Sequence, residues 1–340
     1  MFRVDTKVAN AVDSHAASML KEAKVNAPLN LPLAQSAIDR DYLERENPEL
    51  FDHLWANPAT RVLAMYEGQV LLIGDADHPL PQLRLLPVEA VPSAQLRVYL
   101  GKTTEGQAGE PVGTPVVLAV LGTNSANQVE PTTENWHGLR KTGAGLSARD
   151  AGLYAQGLAV ANFHLSHPYC PSCGLPTAVA QGGWSRKCFK CDKSIFPRTD
   201  PAIIVAVTDE QDRILLGSQG IWEENRWSIL AGFVESGESL NAAVIREVYE
   251  EAGVWVTEPH FMGSQAWPFP CSLMVGFTAK VDSSKGHQDL IPDGLEIEKV
   301  RWFSREEIAA ERDNLLLPGK LSIARALIDH WFGGNIDDRG

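Results

Sequence analysis

Apolar residues gather into short runs over two long stretches of the chain, and a compact cysteine array separates them. In the first stretch, residues 61–65, 69–73, 96–100 and 116–121 read as strands divided by glycine-containing turns. Residues 147–162 read as a helix, with Asp150 near its start and small residues throughout, linking this stretch to the cysteines. In the second stretch, residues 203–207 form a near-continuous apolar run suited to a buried strand, with 213–216 as its hairpin partner. Residues 273–279 and 300–303 read as further strands, and 305–310 and 321–332 as helices. Between them, Leu240, Ala243, Val244 and Val248 recur at helical spacing, so 239–252 reads as an amphipathic helix. Ser236 or Ser239 can cap its start, and Gly253 suits its C-terminal stop.

The chain therefore divides into a first α+β domain over 1–160, a cysteine module over 168–196 and a second domain over 200–335. Its 340 residues suffice for two sizeable cores, and 44% hydrophobic content is ordinary for a globular protein. A net charge of −13 argues against broad electrostatic binding of nucleic acid, though not against a small phosphorylated ligand held through metals. No apolar run approaches the length of a membrane span, and no membrane partner is expected. The first thirty residues mix Lys7, Lys21 and Lys24 with Asp5, Asp13 and Glu22 and contain no apolar core of a secretory signal. The last four residues, Asp337-Asp338-Arg339-Gly340, are not a peroxisomal address, and a cytoplasmic location is expected. No glycine-rich dinucleotide fingerprint is present, so a dehydrogenase using NAD as cofactor lacks support.

The amphipathic helix carries the most informative chemistry. Glu247 and Glu251 are four residues apart and Glu250 is three from Glu247, so all three approach one face. Carboxylates about 4 Å apart repel by roughly 4 kcal/mol at an effective dielectric near 20. A helix would not adopt that cluster for stability; a hard divalent cation such as Mg²⁺, which takes carboxylate, water and phosphate oxygens, resolves the repulsion. Arg246, four residues before Glu250 and eight after Glu238, suits a structural role, orienting the helix by pairing with a carboxylate.

Cys170-Pro-Ser-Cys173 and Cys188-Phe-Lys-Cys191 are two CxxC knuckles fourteen residues apart, the spacing of a Cys₄ zinc ribbon. Four of the five cysteines of the chain belong to this array, and nothing suggests a secretory context for disulfides. A closed Cys₄ site serves folding rather than chemistry. His164 and His167, just upstream, are expected to be ordinary loop histidines. A third signal is Ser264-Gln265-Ala266-Trp267-Pro268-Phe269-Pro270-Cys271-Ser272. Two prolines alternating with two aromatics make a stiff segment, unsuited to a regular central strand, whose rings either stack on a flat ligand ring or turn into the core.

Residues 232–254 run Gly, five residues, Glu238, seven residues, then Arg246-Glu247-Val248-Tyr249-Glu250-Glu251-Ala252-Gly253-Val254. This resembles the Nudix box at every fixed position. A Cys₄ ribbon, a Nudix box and then SQAWPFPCS resemble the NADH pyrophosphatase subfamily of Nudix hydrolases, whose signature has proline where this chain has Ala266. The resemblance covers roughly residues 160–335. It implies an α/β/α sandwich around a mixed sheet, preceded by the ribbon and by an α+β domain that is a degenerate relative of the catalytic one. It also implies Mg²⁺ or Mn²⁺ on Glu247, Glu250, Glu251, the Ala231 carbonyl and Glu296, with Glu298 as the fallback. Glu251 or Glu250 would accept a proton from water. Phe196, the segment from Gln265 through Ala266, Trp267, Pro268, Phe269, Pro270 and Cys271 to Ser272, and the backbone of Ala324 would line the substrate pocket; core packing is the alternative for Phe196 and Ala324. The implied reaction is hydrolysis of NADH or NAD⁺ to nicotinamide mononucleotide and AMP, by a homodimer. Removal of NAD caps from RNA, another Nudix substrate such as ADP-ribose or diadenosine polyphosphate, and a zinc-ribbon nucleic-acid-binding or interaction protein with an inactive hydrolase domain are the alternatives.

Overall fold

A computed structural model describes residues 29, 31–34, 36–74, 80–107 and 109–338. The expectation of no secretory signal in the first thirty residues falls, but for Leu29, outside this range, as do the last two residues of the C-terminal tetrapeptide. Among the described residues no helix is long and apolar enough to cross a membrane.

The first sheet has eight strands: β1 (Ile38–Asp39), β2 (Arg61–Tyr66), β3 (Gln69–Ile73), β4 (Gln82–Leu83), β5 (Leu86–Pro87), β6 (Leu96–Thr103), β7 (Pro115–Val120) and β8 (Trp136–Gly138). Helices α1 (Leu50–Ala56), α2 (Thr123–Val129), α3 (Leu139–Thr142) and α4 (Ala148–Ser166) accompany it. Alternation along the strands sends Leu63, Met65, Val98, Leu100 and Leu118 to the face covered by α4, and Val62, Ala64 and Ala119 to the other. The helix expected over 147–162 is thus more than a link. It runs on to Ser166, and Leu153, Tyr154 and Leu158 help form the core of the first domain.

The ribbon is a small sheet of β9 (Ala178–Ala180), β10 (Ser185–Lys187) and β11 (Ser194–Ile195). It docks on the first domain through Trp184, whose indole N–H donates to Tyr99 O at 2.6 Å while the Arg45 guanidinium covers its ring. His164 of α4 accepts from Arg186 at Nδ1 (2.9 Å) and so donates from Nε2 to Gly183 O (2.7 Å). Both of its nitrogens are committed to packing contacts.

The second sheet runs β15 (Val256–Trp267), β16 (Ser272–Val281), β12 (Asp200–Thr208), β13 (Ile214–Ser218), β17 (Lys299–Phe303), with β14 (Leu230–Phe233) pairing β12. Strands β12 and β16 are parallel and their other partners antiparallel, so the sheet is mixed. Ile203, Val205 and Val207 face helix α5 (Leu240–Ala252), and Ile204 and Ala206 face α7 (Ile323–Phe332); α6 (Arg305–Glu311) follows β17. The outcome is the α/β/α sandwich with a mixed sheet. Leu29 and Leu31 pack into the α7 side of this core, so the start of the described chain belongs structurally to the second domain.

Two features differ from the sequence reading. A strand over 256–263 was not anticipated, because its exposed and buried residues do not alternate cleanly across two register shifts, at Thr257/His260 and Phe261/Gly263. The segment 264–267, read as part of a stiff irregular run, completes this edge strand, paired from Ser264↔Val275 to Trp267↔Ser272. Only 268–271 form the connection to β16, which suits prolines confined to an edge.

The two sheets repeat one topology. In each, an antiparallel hairpin (β2–β3; β12–β13) is joined through its first strand to a parallel partner (β7; β16), which pairs antiparallel with the preceding long strand (β6; β15). A short strand (β5; β14) pairs antiparallel with the hairpin's first strand, and a late strand (β8; β17) pairs with its second. Even the bulges correspond, at Tyr99/Gly101 and Phe261/Gly263, with both glycines at positive φ. The difference lies after the short strand: α5 follows β14, but only the single turn Val88–Ala90 follows β5.

Asp150 anchors the first domain. It is fully buried at the start of α4, where Oδ2 accepts from Leu83 N (2.8 Å) and Oδ1 from Arg149 Nε (2.8 Å). Replacing Asp150 with Ala leaves a buried guanidinium and a strand N–H without this acceptor. Urea denaturation should show a loss of about 3–5 kcal/mol; a loss under about 1 kcal/mol would contradict the assignment.

Candidate metal and nucleotide site

Helix α5 is capped by Ser239, whose Oγ accepts from Ala242 N at 3.2 Å, and ends at Gly253 in the left-handed region. Ala243, Val244, Val248 and Ala252 fasten it to the sheet. That face also carries Glu251 inward, until it is only 4% exposed against β14.

Arg246 organises the remaining carboxylates. Its Nε and Nη2 donate to the two oxygens of Glu238 (both 2.9 Å), Nη1 to Glu247 Oε1 (2.8 Å) and Glu250 Oε2 (2.9 Å), and Nη2 also to Phe233 O (3.0 Å). Glu238 in turn accepts from Glu235 N at 3.1 Å, closing the loop ahead of the helix. The glycine at position 232 has a steric cause. A Cβ there would lie 2.0 Å from the carboxyl carbon of Glu247, so any side chain would displace that carboxylate.

Among the described residues, the four ribbon cysteines are the one group of potential ligands whose donor atoms all converge within 4.8 Å. The glutamates do not converge so tightly, because Arg246 holds Glu247 and Glu250. Glu251 has no such cation. Burial first, then the charges of Glu247, Glu296 and Asp293, push its carboxyl up to about 8, against a backbone hydrogen bond from Ala231. Its Oε2 is buried without a protein partner. Burial also raises Glu247, with Glu250 and Glu296 adding to the effect and Arg246 opposing it. An orphaned, desolvated carboxylate oxygen beside further carboxylates fits a hard divalent cation.

Of the two residues considered for the outer acidic position, Glu296 is the one whose charge acts on Glu247 and Glu251, whereas Glu298 lies against Gly220. Glu296 is set by a loop that sequence reasoning overlooked. Asp293 accepts from the N–H groups of Leu295 (3.1 Å), Glu296 (3.2 Å) and Ile297 (2.8 Å). The Asp-Gly pair at 293–294 is the signal that could have revealed it.

Trp267 and Phe269 meet edge to face at 5.0 Å, and both pack against the α4 core of the first domain. Asn162 of α4 donates to Pro268 O and Pro270 O, each at 3.1 Å. Trp267 borders a cavity of about 590 Å³ with Ser322, Trp222, Trp227 and, from the first domain, Arg140. Gln265 is fully buried, its amide spent on Leu321 O and Ile323 N (both 2.8 Å), so it fixes the start of α7 rather than offering a free amide. Ala324 is buried, its N–H taken by Ser322 Oγ at 3.1 Å. Cys271 donates to Asp200 at 3.3 Å, Ala266 is exposed on the edge strand, Ser272 begins β16, and Phe196 is 58% exposed beyond the end of β11. Phe196 and Phe269 do not border the cavity.

Comparison with known proteins accords with this geometry. Residues 198–323 match the NUDIX domain, 59–162 the NADH pyrophosphatase-like rudimentary NUDIX domain, and 165–196 the NADH pyrophosphatase zinc ribbon domain. Residues 198–323 carry a NUDIX domain. The rudimentary domain is the sheet whose box helix is reduced to one turn. The chain is similar to the NAD-capped RNA hydrolase NudC of Mycobacterium tuberculosis (strain ATCC 25618 / H37Rv), 40% identical over 203 residues, which are 57% of this chain and 64% of that protein. It is also similar to the NAD-capped RNA hydrolase NUDT12 of Homo sapiens, 36% identical over 200 residues, 55% of this chain and 42% of that one. The match thus spans less than two thirds of the length of either relative. A crystal structure of a NUDIX hydrolase from Nitrosomonas europaea superposes with a TM-score of 0.39 at 23% identity, over 49% of this chain and 93% of that one.

The buried carboxyl makes the metal-free Nudix domain pH-sensitive. Glu251 titrates near 8 in the fold against an ordinary value of 4.5, so its cost to stability begins near pH 4.5 and is complete near pH 8. Metal-free Glu251→Gln lacks that cost and should melt higher than the native chain by at least about 2–4 °C at pH 8, the gap closing toward pH 4.5. Thermal scans at three pH values read this directly, and a gap that widens toward acid would refute it.

Proposed function

We propose that the chain hydrolyses the pyrophosphate of NADH or NAD⁺, giving AMP and nicotinamide mononucleotide. The observation that carries this reading is Glu251, buried with one carboxylate oxygen unpartnered beside Glu247 and the Gly232 turn, in a chain with the domain set of NADH pyrophosphatases. Glu247, Glu251, the Ala231 carbonyl and, from outside, Glu250 and Glu296 would hold Mg²⁺ or Mn²⁺. Such ions neutralise charge on the phosphates and lower the pKa of bound water. The residues of the chain then have distinct tasks. Glu251, or Glu250 beside it, accepts the proton of the attacking water. Arg246 keeps Glu247 and Glu250 aimed from one side and ties them to the loop through Glu238. Trp267 offers a ring face where one ring of the dinucleotide can rest.

Removal of an NAD cap from RNA is the same bond cleavage on a larger substrate, and the names of the mycobacterial and human relatives favour it as a second reading. Glu251→Gln should cut turnover by at least about 10²-fold while the protein stays folded. Turnover of NADH, NAD⁺, ADP-ribose and capped RNA with Mg²⁺ or Mn²⁺, with products identified, tests the substrate. Near-native turnover by the variant, or ADP-ribose outpacing every NAD-containing compound, would overturn the reading.

We assign a structural Zn²⁺ to Cys170, Cys173, Cys188 and Cys191. Their sulfurs lie 3.5 Å apart in the pairs Cys170–Cys191 and Cys173–Cys188, near the about 3.8 Å separation expected around a tetrahedral ion with 2.3 Å bonds. Hydrogen bonding led by the Cys191 N–H brings the Cys188 thiol down to about 6, toward the thiolate a metal needs. A homodimer is part of the same proposal on the family resemblance, and the unbridged thiols suit a cytoplasmic location. Elemental analysis should find about one zinc per chain. Cys188→Ser should lower the melting temperature and soluble yield rather than remove activity alone. Protein purified without chelator that contains no zinc would contradict the assignment.

A further inference from the structure

The second domain has another cavity, of about 560 Å³, on the face of its sheet away from the acidic helix. Its floor is two rows of side chains laid across neighbouring strands. His260 of β15 pairs with Thr278 of β16, which pairs with Ala206 of β12; in the next row Lys280 pairs with Thr208. Cross-strand partners share a face, and Ala206 packs toward α7, so both rows point to that side. Ile203, Val205 and Val207, one residue out of phase, point to α5. The box loop also meets β12 nearer its start, with Ala231 opposite Ile204. Helix α7 ends at Phe332, and Gly333 in the left-handed region turns the chain away, so this corner of the sheet stays open with His330 and Trp331 as one wall. A bulge between Thr257 and His260 bends β15 beside it, with Glu258 at φ 52°, a conformation few side chains adopt.

Donors outnumber acceptors here. Among the described residues, no protein group engages the imidazoles of His260 and His330 or the hydroxyls of Thr208 and Thr278. Arg305 is held in place: Nε and Nη2 donate to Trp331 O (3.0 and 2.7 Å), and Nη1 donates to Asp212 Oδ2 (2.7 Å) and O (3.5 Å). Four contacts leave at least one of its five N–H groups free. They also cover the Trp331 carbonyl, at the negative end of α7. The one acidic side chain in the lining, Glu258, reaches Lys280 at 3.5 Å with both side chains 70% exposed, too loose a pair to fix either.

We infer that this cavity binds a phosphate group, free or at the end of a small organic molecule, through His260, His330 and Arg305. A tetrahedral phosphate presents oxygens in several directions, which suits charge-assisted donors arriving from strand, helix and floor together. Trp331 and Pro259 supply an apolar wall for a carbon frame, and the volume falls within the roughly 300–1,000 Å³ typical of small-molecule sites. The inference does not rest on the pyrophosphatase reading, since the cavity shares no residue with the carboxylate helix or with the cavity bordering Trp267.

Calorimetric titration tests this. Inorganic phosphate, ribose 5-phosphate and ribose are titrated, without added divalent metal, into native chain, His260→Ala, His330→Ala, His330→Gln and the double alanine variant. Native chain should bind the phosphate-bearing probes and not ribose. Each alanine variant should weaken binding by about 10-fold or more, the scale of one hydrogen bond to a charged group, and the double variant further. His330→Gln, which keeps an N–H donor, should retain more affinity than His330→Ala. Both rings are exposed, so the melting temperature should not move, and a loss of affinity at constant melting temperature is not misfolding. Glu251→Gln should bind the probes as the native chain does, which separates this cavity from the carboxylate site. Tighter binding of ribose 5-phosphate than of inorganic phosphate identifies an organic phosphate seated against Trp331, and equal binding identifies free phosphate. Equal affinity in native chain and the double alanine variant, or no binding of either phosphate probe to the native chain, overturns the inference.

Discussion

One guanidinium makes the acidic helix tolerable. Five acceptors converge on Arg246: both oxygens of Glu238, one each from Glu247 and Glu250, and the Phe233 carbonyl. Without that cation, three carboxylates on one helical face would repel each other next to an apolar sheet, where the effective dielectric is lowest. The loop from Gly232 to Glu238 and the first turns of α5 are thereby locked into one unit. Glu251, one helical turn beyond the reach of this compensation, is left with desolvation and like charge together. The same interaction that stabilises the element therefore leaves one carboxylate that is not neutralised by protein, and its position is fixed by the apolar residues beside it, Val248 and Ala252.

The repeated sheet topology explains why the chain is larger than its chemistry requires. Both domains keep the hairpin, the parallel partner, the bulged long strand and a covering helix, and both cores remain full. What the first domain lacks is the segment that carries charge. A helix bearing clustered carboxylates costs stability unless a cation and a glycine cradle accompany it; a single turn holding Glu89 alone escapes that cost. Loss of the helix removes the acidic chemistry without touching the hydrophobic alternation that specifies the sheet.

Much of this was legible in the sequence because the relevant forces are local. The strands at 61–65, 69–73 and 203–207 and the helix over 239–252 follow from periodicity, and the cysteine knuckles from spacing. Arg246 was readable as a structural part, whereas the 2.0 Å clash that forbids a side chain at Gly232 is visible only in the folded structure. What escaped was non-local. The bulges of β15 break the alternation that marks a strand. Gln265 reads as a free pocket amide until its two partners, 56 and 58 residues away, are seen. Arg140 stands in a stretch with no motif, and its place over Phe269 arises from how two domains meet.

That meeting gives the degenerate domain a physical role. Pro268 and Pro270 have no N–H to contribute to a ladder, so the connection between β15 and β16 cannot be held by ordinary strand pairing. Its carbonyls are instead taken up by Asn162, and its two rings sit against the core formed by α4. The same helix reaches the ribbon through His164. One buried element of the first domain thus supports both the aromatic segment and the cysteine module. The stiffness of the proline run and the rigidity of α4 are two halves of one constraint. A segment with few hydrogen bonds of its own keeps a fixed shape only against a neighbour that does not move, and the full core around α4 supplies that neighbour.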